Sequence, residues 1–363
     1  MPEVRYSRPM RYILLLLLAL LATPALAQTE WPIAEDDFVI DDFAFGTGET
    51  LAELNIHYTT LGVPHRGASG EIDNAVMVLH GTGGSGGSFL RPQFADELFG
   101  PGRPLDIARY YVILPDNIGH GGSSKPSDGL RAHFPRYDYD DMVEAQRRLL
   151  VDGLGVTRLR LLMGTSMGCM HGFVWGETHP EMIQAMLPLA CMPIEIAGLN
   201  RMWRYMLIDG LRNDPGYDGG NYNEQPMAGL RHAANLLIVA GGAPLAIQNE
   251  FPTREAAEAA LAERVPAAME GRDANDMIWQ FDSSRNYNPE PNLEAITMPV
   301  TWINSEDDFI NPSNFDFTET LAARMPQGRY VLIPESVDTH GHGTHTWAAF
   351  WKDELVGLLE RSE

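Results

Sequence analysis

The sequence predicts an α/β protein: a mostly parallel central sheet flanked by helices, with a helical lid inserted into it. Three observations predict this. From Ala75 onward, short apolar runs bounded by turn residues alternate with amphipathic stretches, as in buried parallel strands joined by helical crossovers. One of those strands runs into Gly164-Thr165-Ser166-Met167-Gly168, a glycine-flanked serine at a strand-to-helix junction. Between Ile194 and Met277 the alternation stops, and the chain is rich in helix formers and methionine without a buried strand pair.

Residues 1–27 read as an export signal. Arg5, Arg8 and Arg11 precede an apolar run from Ile13 to Ala22, and Ala25-Leu26-Ala27 offers the small-x-small pattern cut by signal peptidase. The run is about ten residues, against the roughly twenty that a membrane-spanning helix needs. Cleavage after Ala27 and a secreted or periplasmic protein are expected, with no membrane span afterwards. Residues 28–193 form the first part of the core. Edge strands are expected at 38–43 and 54–60, buried strands at 75–79, 111–114, 159–163 and 185–190, and helices at 139–150 and 169–177. Residues 194–277 form the lid, whose Met202, Met206, Met227 and Met269 are expected as core filler. Residues 278–363 complete the core with strands at 300–304 and 330–333 and helices at 314–324 and 347–359.

Charge limits the partners. The chain has 26 Lys+Arg against 49 Asp+Glu, and losing a leader with three Arg and one Glu takes the net charge from -23 to -25. A surface so acidic repels phosphate backbones and anionic lipid heads, which excludes nucleic acid as the main partner. Cys169 and Cys191 both fall in apolar element cores and are expected as buried free thiols, although export would permit a bridge.

The glycine-flanked turn carries the chemistry. A sharp strand-to-helix turn projects the Ser166 hydroxyl clear of the backbone, and the helix start behind it favours developing negative charge. A second turn, His80-Gly81-Thr82-Gly83-Gly84, follows the first buried strand and can supply a backbone N–H to an oxyanion. The hole is therefore assigned to the N–H groups of Thr82 and Met167, and His80 is expected as a structural partner. On scaffolds with this turn the acid and then the histidine follow the serine. Of His340, His342 and His345, His342 lies between two glycines and is the expected general base. Of Glu306, Asp307 and Asp308, Asp308 stands four residues before Pro312 and is expected to orient the base, the other two being solvated. No acidic ligand pattern accompanies the three histidines, so neither a metal nor a cofactor is implied.

Several stretches together resemble the homoserine O-acetyltransferase family of α/β-hydrolases. They are Phe134-Pro135, Asp141-Met142-Val143, Gln146, Leu154-Gly155, the Ser166 turn through Trp175 and Pro180, Asp214-Pro215 with Gly219, Gly220 and Tyr222, and Asp308 to Pro312. The resemblance implies the α/β-hydrolase fold and a triad of Ser166, Asp308 and His342. The departures bear on substrate. Gly343 stands where the family places an aspartate that helps bind the homoserine amine, and the place of its carboxylate-binding arginine, near Ile208, has none in register; Arg204 and Arg212 lie out of it. An exported copy lacking both charged handles is expected to hydrolyse an ester or related acyl substrate through an acyl-enzyme. Acyl transfer to another acceptor is the alternative, and a non-catalytic binding protein on the same fold a third.

Overall fold

The computed structural model describes residues 30–363, so the expected signal peptide lies outside the described residues. Eight strands, β1 (Ile33–Ala44), β2 (Thr50–Leu61), β3 (Ala75–Leu79), β4 (Tyr111–Pro115), β5 (Leu161–Thr165), β6 (Met186–Leu189), β7 (Val300–Ser305) and β8 (Gly328–Ile333), form one sheet in the order β1-β2-β4-β3-β5-β6-β7-β8. β1 pairs antiparallel with β2, and β2 with β4; from β4 to β8 every pairing is parallel. This is the predicted α/β-hydrolase architecture.

Burial follows from position. β3, β4, β5, β6 and β7 are buried at every residue because helices cover both faces of the sheet. The outer strand β1 buries only Ile40 and Phe43, and its Asp36, Asp37, Asp41 and Asp42 lie on the exposed edge, where charge discourages pairing with another chain. The core helices are α1 (Pro92–Leu98), α2 (Tyr139–Arg148) and α3 (Met167–Thr178). α2 opens on a reciprocal cap: Asp138 N donates to Asp141 Oδ2 at 3.0 Å, and Asp141 N donates to Asp138 Oδ1 at 3.2 Å. Between β6 and β7 come α4 (Gly198–Arg212), α5 (Met227–Ala240), α6 (Pro244–Glu250), α7 (Arg254–Met269) and α8 (Ala274–Asp282), the helices of the region expected as the lid; α9 (Thr318–Arg324) and α10 (Lys352–Arg361) complete the core.

Several expectations shift. β5 begins at Leu161 because Leu159 makes only an isolated bridge to Ile183. The helix expected at 347–359 starts at Lys352, its first part being taken up by a tight turn at Ala348–Phe350. The last helix of the segment expected as the lid, α8, continues past Met277 to Asp282 and buries Ile278 and Phe281 in a small cluster with Trp203, Leu207, Leu211 and Leu230. Met269 joins that cluster, but Met202, Met206 and Met227 are exposed, so three of the four methionines are not filler. The cysteines are not free. Cys169 and Cys191 form a disulfide, because the β5–β6 register sets Thr165 opposite Leu189 and brings the chain leaving β6 beside the first turn of α3.

Candidate active site

The Ser166 turn is dictated at backbone level. A Cβ on Gly164 would lie 2.1 Å from the Gly168 carbonyl oxygen, and one on Gly168 would lie 2.0 Å from that of Leu79, so neither position admits a side chain. Between them Ser166 adopts φ 54°, ψ -111°, a conformation that costs a non-glycine residue about 1–3 kcal/mol and persists only where its surroundings enforce it. Part of that enforcement is the Ser166 N–H, which donates to the Leu189 carbonyl at 2.8 Å.

The loops after β7 and β8 bring two side chains to this serine. The Ser166 hydroxyl and His342 Nε2 are 2.8 Å apart, and His342 Nδ1 is 2.8 Å from Asp308 Oδ2. Because an ionised carboxylate only accepts, Nδ1 carries the proton, and Nε2 is left to accept from the serine. The Asp308 side chain is wholly buried. It accepts from Ile310 N at 2.8 Å, Asn311 N at 3.2 Å and Asn311 Nδ2 at 2.9 Å. Burial pushes its pKa up, but the neighbouring His342 and the bonds from His342 and Asn311 outweigh that and hold it below the usual carboxylate range.

The alternatives lie elsewhere. His345 packs edge-on against His342 at 5.1 Å between ring centroids, and burial, reinforced by the His342 charge, takes its pKa down to about 3. His340 stacks on Trp347 at 4.1 Å. Glu306 is exposed as expected, but Asp307 is not solvated. It is buried and accepts from Ser305 Oγ, from Thr339 Oγ1 at 2.8 Å and from Gly341 N at 2.9 Å, so it clamps the loop carrying His342. Of the two glycines flanking His342, Gly341 is the constrained one. Its φ is 58°, and a Cβ there would lie 2.4 Å from the Gly242 carbonyl of the lid, whereas a Cβ on Gly343 would meet only ordinary contact.

The second turn lies against the first, with a Cβ on Gly81 falling 3.2 Å from Ser166 Cβ. Met167 is the first residue of α3, so its N–H has no intrahelical acceptor. His80 fixes the turn: its Nδ1–H donates to the Gly81 carbonyl at 2.9 Å, and its Nε2 accepts from Asn117 N at 3.0 Å. Behind it, the Gln146 amide donates to Asn117 Oδ1 and accepts from Trp175 Nε1 at 2.7 Å. Burial lowers the pKa of His80, and that of His171, next to Gln146, falls to about 3, so this network is neutral. Asn117, Asp307 and Asn311 carry no motif that would single them out in the sequence.

A parallel sheet that presents a serine on a forced turn, with an imidazole and a buried carboxylate in line, defines the α/β proteins that carry out acyl chemistry through a serine. This chain belongs to the α/β-hydrolase fold family, whose model matches residues 74–338. It is 28% identical over 300 residues to a probable acyltransferase of Methanothermobacter thermautotrophicus, covering 82% of this chain and 89% of that one. It also matches several homoserine O-acetyltransferases over about half of their length. A solved homoserine O-acetyltransferase from Bacillus anthracis superposes with a TM-score of 0.80 at 20% identity, covering 92% of this chain and 99% of that one. A solved acetylester hydrolase from Corynebacterium glutamicum does so with 0.78 at 19% identity, covering 90% and 96%. The chain thus resembles the homoserine O-acetyltransferases, and its relatives support an enzyme that is a hydrolase or an acyltransferase.

Proposed function

We propose that the protein is a secreted serine hydrolase that cleaves an ester or related acyl substrate. The observation that carries this reading is the pair of 2.8 Å contacts linking Ser166, His342 and Asp308. Ser166 Oγ attacks the acyl carbon while its proton passes to His342 Nε2, and the N–H groups of Thr82 and Met167 receive the charge on the carbonyl oxygen. The ester C–O bond breaks, the proton leaves with the alcohol, and the acyl group stays on Ser166. Water then attacks, giving a proton to the same Nε2, which returns it to Ser166 as the acid departs. Asp308 keeps the proton of the neutral imidazole on Nδ1 and stabilises the imidazolium. The disulfide supports export, since such bridges persist in oxidising compartments.

Water is the acceptor in this reading because Gly343 provides no carboxylate for an amine and Ile208 is packed in the lid core. Acyl transfer is the second reading, and one observation favours it. Arg204, one turn before Ile208, is a wholly buried guanidinium held by Asn200 Oδ1 at 2.8 Å and Ser284 Oγ at 3.4 Å, with no carboxylate in salt-bridge range among the described residues. The lid therefore does contain a buried cation, out of the expected register.

The test is a panel of p-nitrophenyl esters of graded chain length, with and without acetyl-CoA and homoserine. Hydrolysis should dominate, and Ser166→Ala should lose on the order of a millionfold in kcat, as in other serine hydrolases. Ordinary turnover by a folded Ser166→Ala protein would sink the nucleophile assignment. O-acetylhomoserine as the main product would overturn the choice of water as acceptor.

A further inference from the structure

The nucleophile and the acid stand on strands that are not neighbours. Ser166 follows β5 and Asp308 follows β7, and β6 lies between them in the sheet. A misplacement of about 1 Å in a catalytic constellation can cost on the order of a hundredfold in rate, so the position of one loop relative to the other matters. The exit of β6 touches both. Leu189, its last residue, accepts from Ser166 N at 2.8 Å, and the next residue, Ala190, donates from its N–H to the Ile303 carbonyl of β7 at 2.8 Å. One residue further, the Cys191 carbonyl accepts from Trp302 Nε1 at 2.8 Å. Ala190 is buried and has φ 62°, in the left-handed region that disfavours a residue with a Cβ and persists only where the surroundings enforce it. Such outliers gather at functional sites, and neither the triad nor the oxyanion turn includes this one. Its carbonyl accepts from Asn311 Nδ2 at 2.9 Å.

Asn311 is buried, and its carboxamide nitrogen spends both protons. The second goes to Asp308 Oδ2 at 2.9 Å, the oxygen that His342 Nδ1 also reaches at 2.8 Å. Asp308 Oδ1 takes the N–H groups of Ile310 and Asn311 at 2.8 and 3.2 Å, so the four acceptor positions of the carboxylate are filled. The two backbone donors belong to the acid loop and travel with it. Of the three loop donors, only the Asn311 carboxamide is also bound to a neighbouring strand. We propose that Asn311 is a positioning residue for the triad: by tying Asp308 to the Ala190 carbonyl, it references the acid to the strand exit that also holds Ser166, and so aims the carboxylate at His342. An aliphatic side chain of similar size leaves the Ala190 carbonyl and one lone pair of Asp308 buried without a donor, and the loop is free to settle elsewhere.

The proposal rests on the triad of the hydrolase reading above, and the experiment separates the two. The full chain and Asn311→Leu are compared on a p-nitrophenyl ester at a temperature where circular dichroism shows both folded. kcat should fall by on the order of tenfold or more, the worth of a hydrogen bond to a charged group, while KM stays within about twofold. The same substitution is then made in an Asp308→Ala background. A residue that acts through the carboxylate has nothing left to aim there, so the double variant should turn over within about twofold of Asp308→Ala. An equal loss in both backgrounds, or a raised KM with kcat unchanged, overturns the proposal, because a merely loosened fold acts without Asp308. Should Asn311→Leu not fold, Asn311→Ser, which keeps one short donor and cannot span both acceptors, is put through the same two comparisons. If the wild type hydrolyses no ester, the hydrolase reading fails, and the low-field proton resonance of His342 Nδ1–H decides, since it needs no substrate. Broadening of that resonance in Asn311→Leu upholds the tie. A resonance unchanged in position and width, or absent from the wild type as well, overturns it.

Discussion

Around Ser166 the core is constrained through its main chain: side chains on Gly164 or Gly168 would collide with carbonyl oxygens at 2.1 and 2.0 Å. The lid is held differently. Its helices share a small core of their own, while Met202, Tyr205 and Met206 of α4 stand 62, 59 and 48% exposed. Backbone collisions admit almost no substitution, so the geometry that determines the reaction class resides in the core. Packed side chains on a helix face admit many, so substrate choice can drift in the lid without disturbing the relay. Contacts join the two regions at several points, among them Arg272 on Gly83, Ser127 on Asp276, Gln280 on Gly119, Arg136 on Asp282 and Gly341 against Gly242, and Trp279 of α8 packs against the core.

The largest effect that would sharpen this contrast lies in the acid loop. Asp308→Asn should lower kcat by roughly four orders of magnitude with little change in stability, because an amide can donate to Nδ1 and select the wrong tautomer. Asp307→Asn touches no reacting atom. It removes one of the oxygens that hold Thr339 and the Gly341 N–H, and should cost about tenfold in kcat as the His342 loop loosens. Equal losses in the two variants, measured on one ester, would break the distinction between orienting the base and holding its loop.

The disulfide comes next. Cys169 and Cys191 enclose a separation of 22 residues, and closing such a loop restricts the unfolded chain by about 3 kcal/mol. The Cys169→Ala/Cys191→Ala protein should unfold in urea with a free energy lower by that amount, while its ester hydrolysis persists at temperatures where it is folded. An unchanged urea midpoint would mean that the bridge does not form in solution.

How far the molecule was legible in its sequence follows from the same contrast. Glycines that relieve a collision, a serine between them and the chain order of acid and histidine are local signals, and the structure places Ser166, His342 and Asp308 together. What was not legible depends on neighbours distant in sequence. The spacing to Pro312 singles out Asp308, but nothing local shows that Asp307 is buried, and only the fold turns it toward Thr339 and Gly341. The cysteines looked like two buried thiols because nothing local reveals that β6 leaves the sheet beside α3. The helix expected at 347–359 is apolar enough from Trp347 onward, but a separate tight turn at Ala348–Phe350 consumes its first residues. Arg204 is a surface residue by composition and is buried by the packing of α4 against α8.

The smallest expected effect concerns the seam itself. Asp276, on the lid helix α8, is buried against Ser127, and burial, with the Asp273 charge added, raises its pKa to about 6 against the opposing Ser127 bonds. In the unfolded chain the same carboxyl titrates near 4. Below that pH both states hold the proton, and this group contributes no pH dependence. Between about 4 and 6 the unfolded chain has ionised while the folded one still holds its proton, so stability falls as pH rises through this window, and above it the loss is complete. A shift of this size corresponds to about 3 kcal/mol over the whole titration, most of it falling between pH 4 and 6.5. Asp276→Asn removes the titration and leaves a constant offset for the altered bonds to Ser127. The unfolding free energy of the variant minus that of the wild type should therefore climb by about 2 kcal/mol from pH 4 to pH 6.5 and then level off. A difference that stays flat across that range would mean that Asp276 is ionised throughout, and that lid and core are joined there by a solvated contact instead of a buried one.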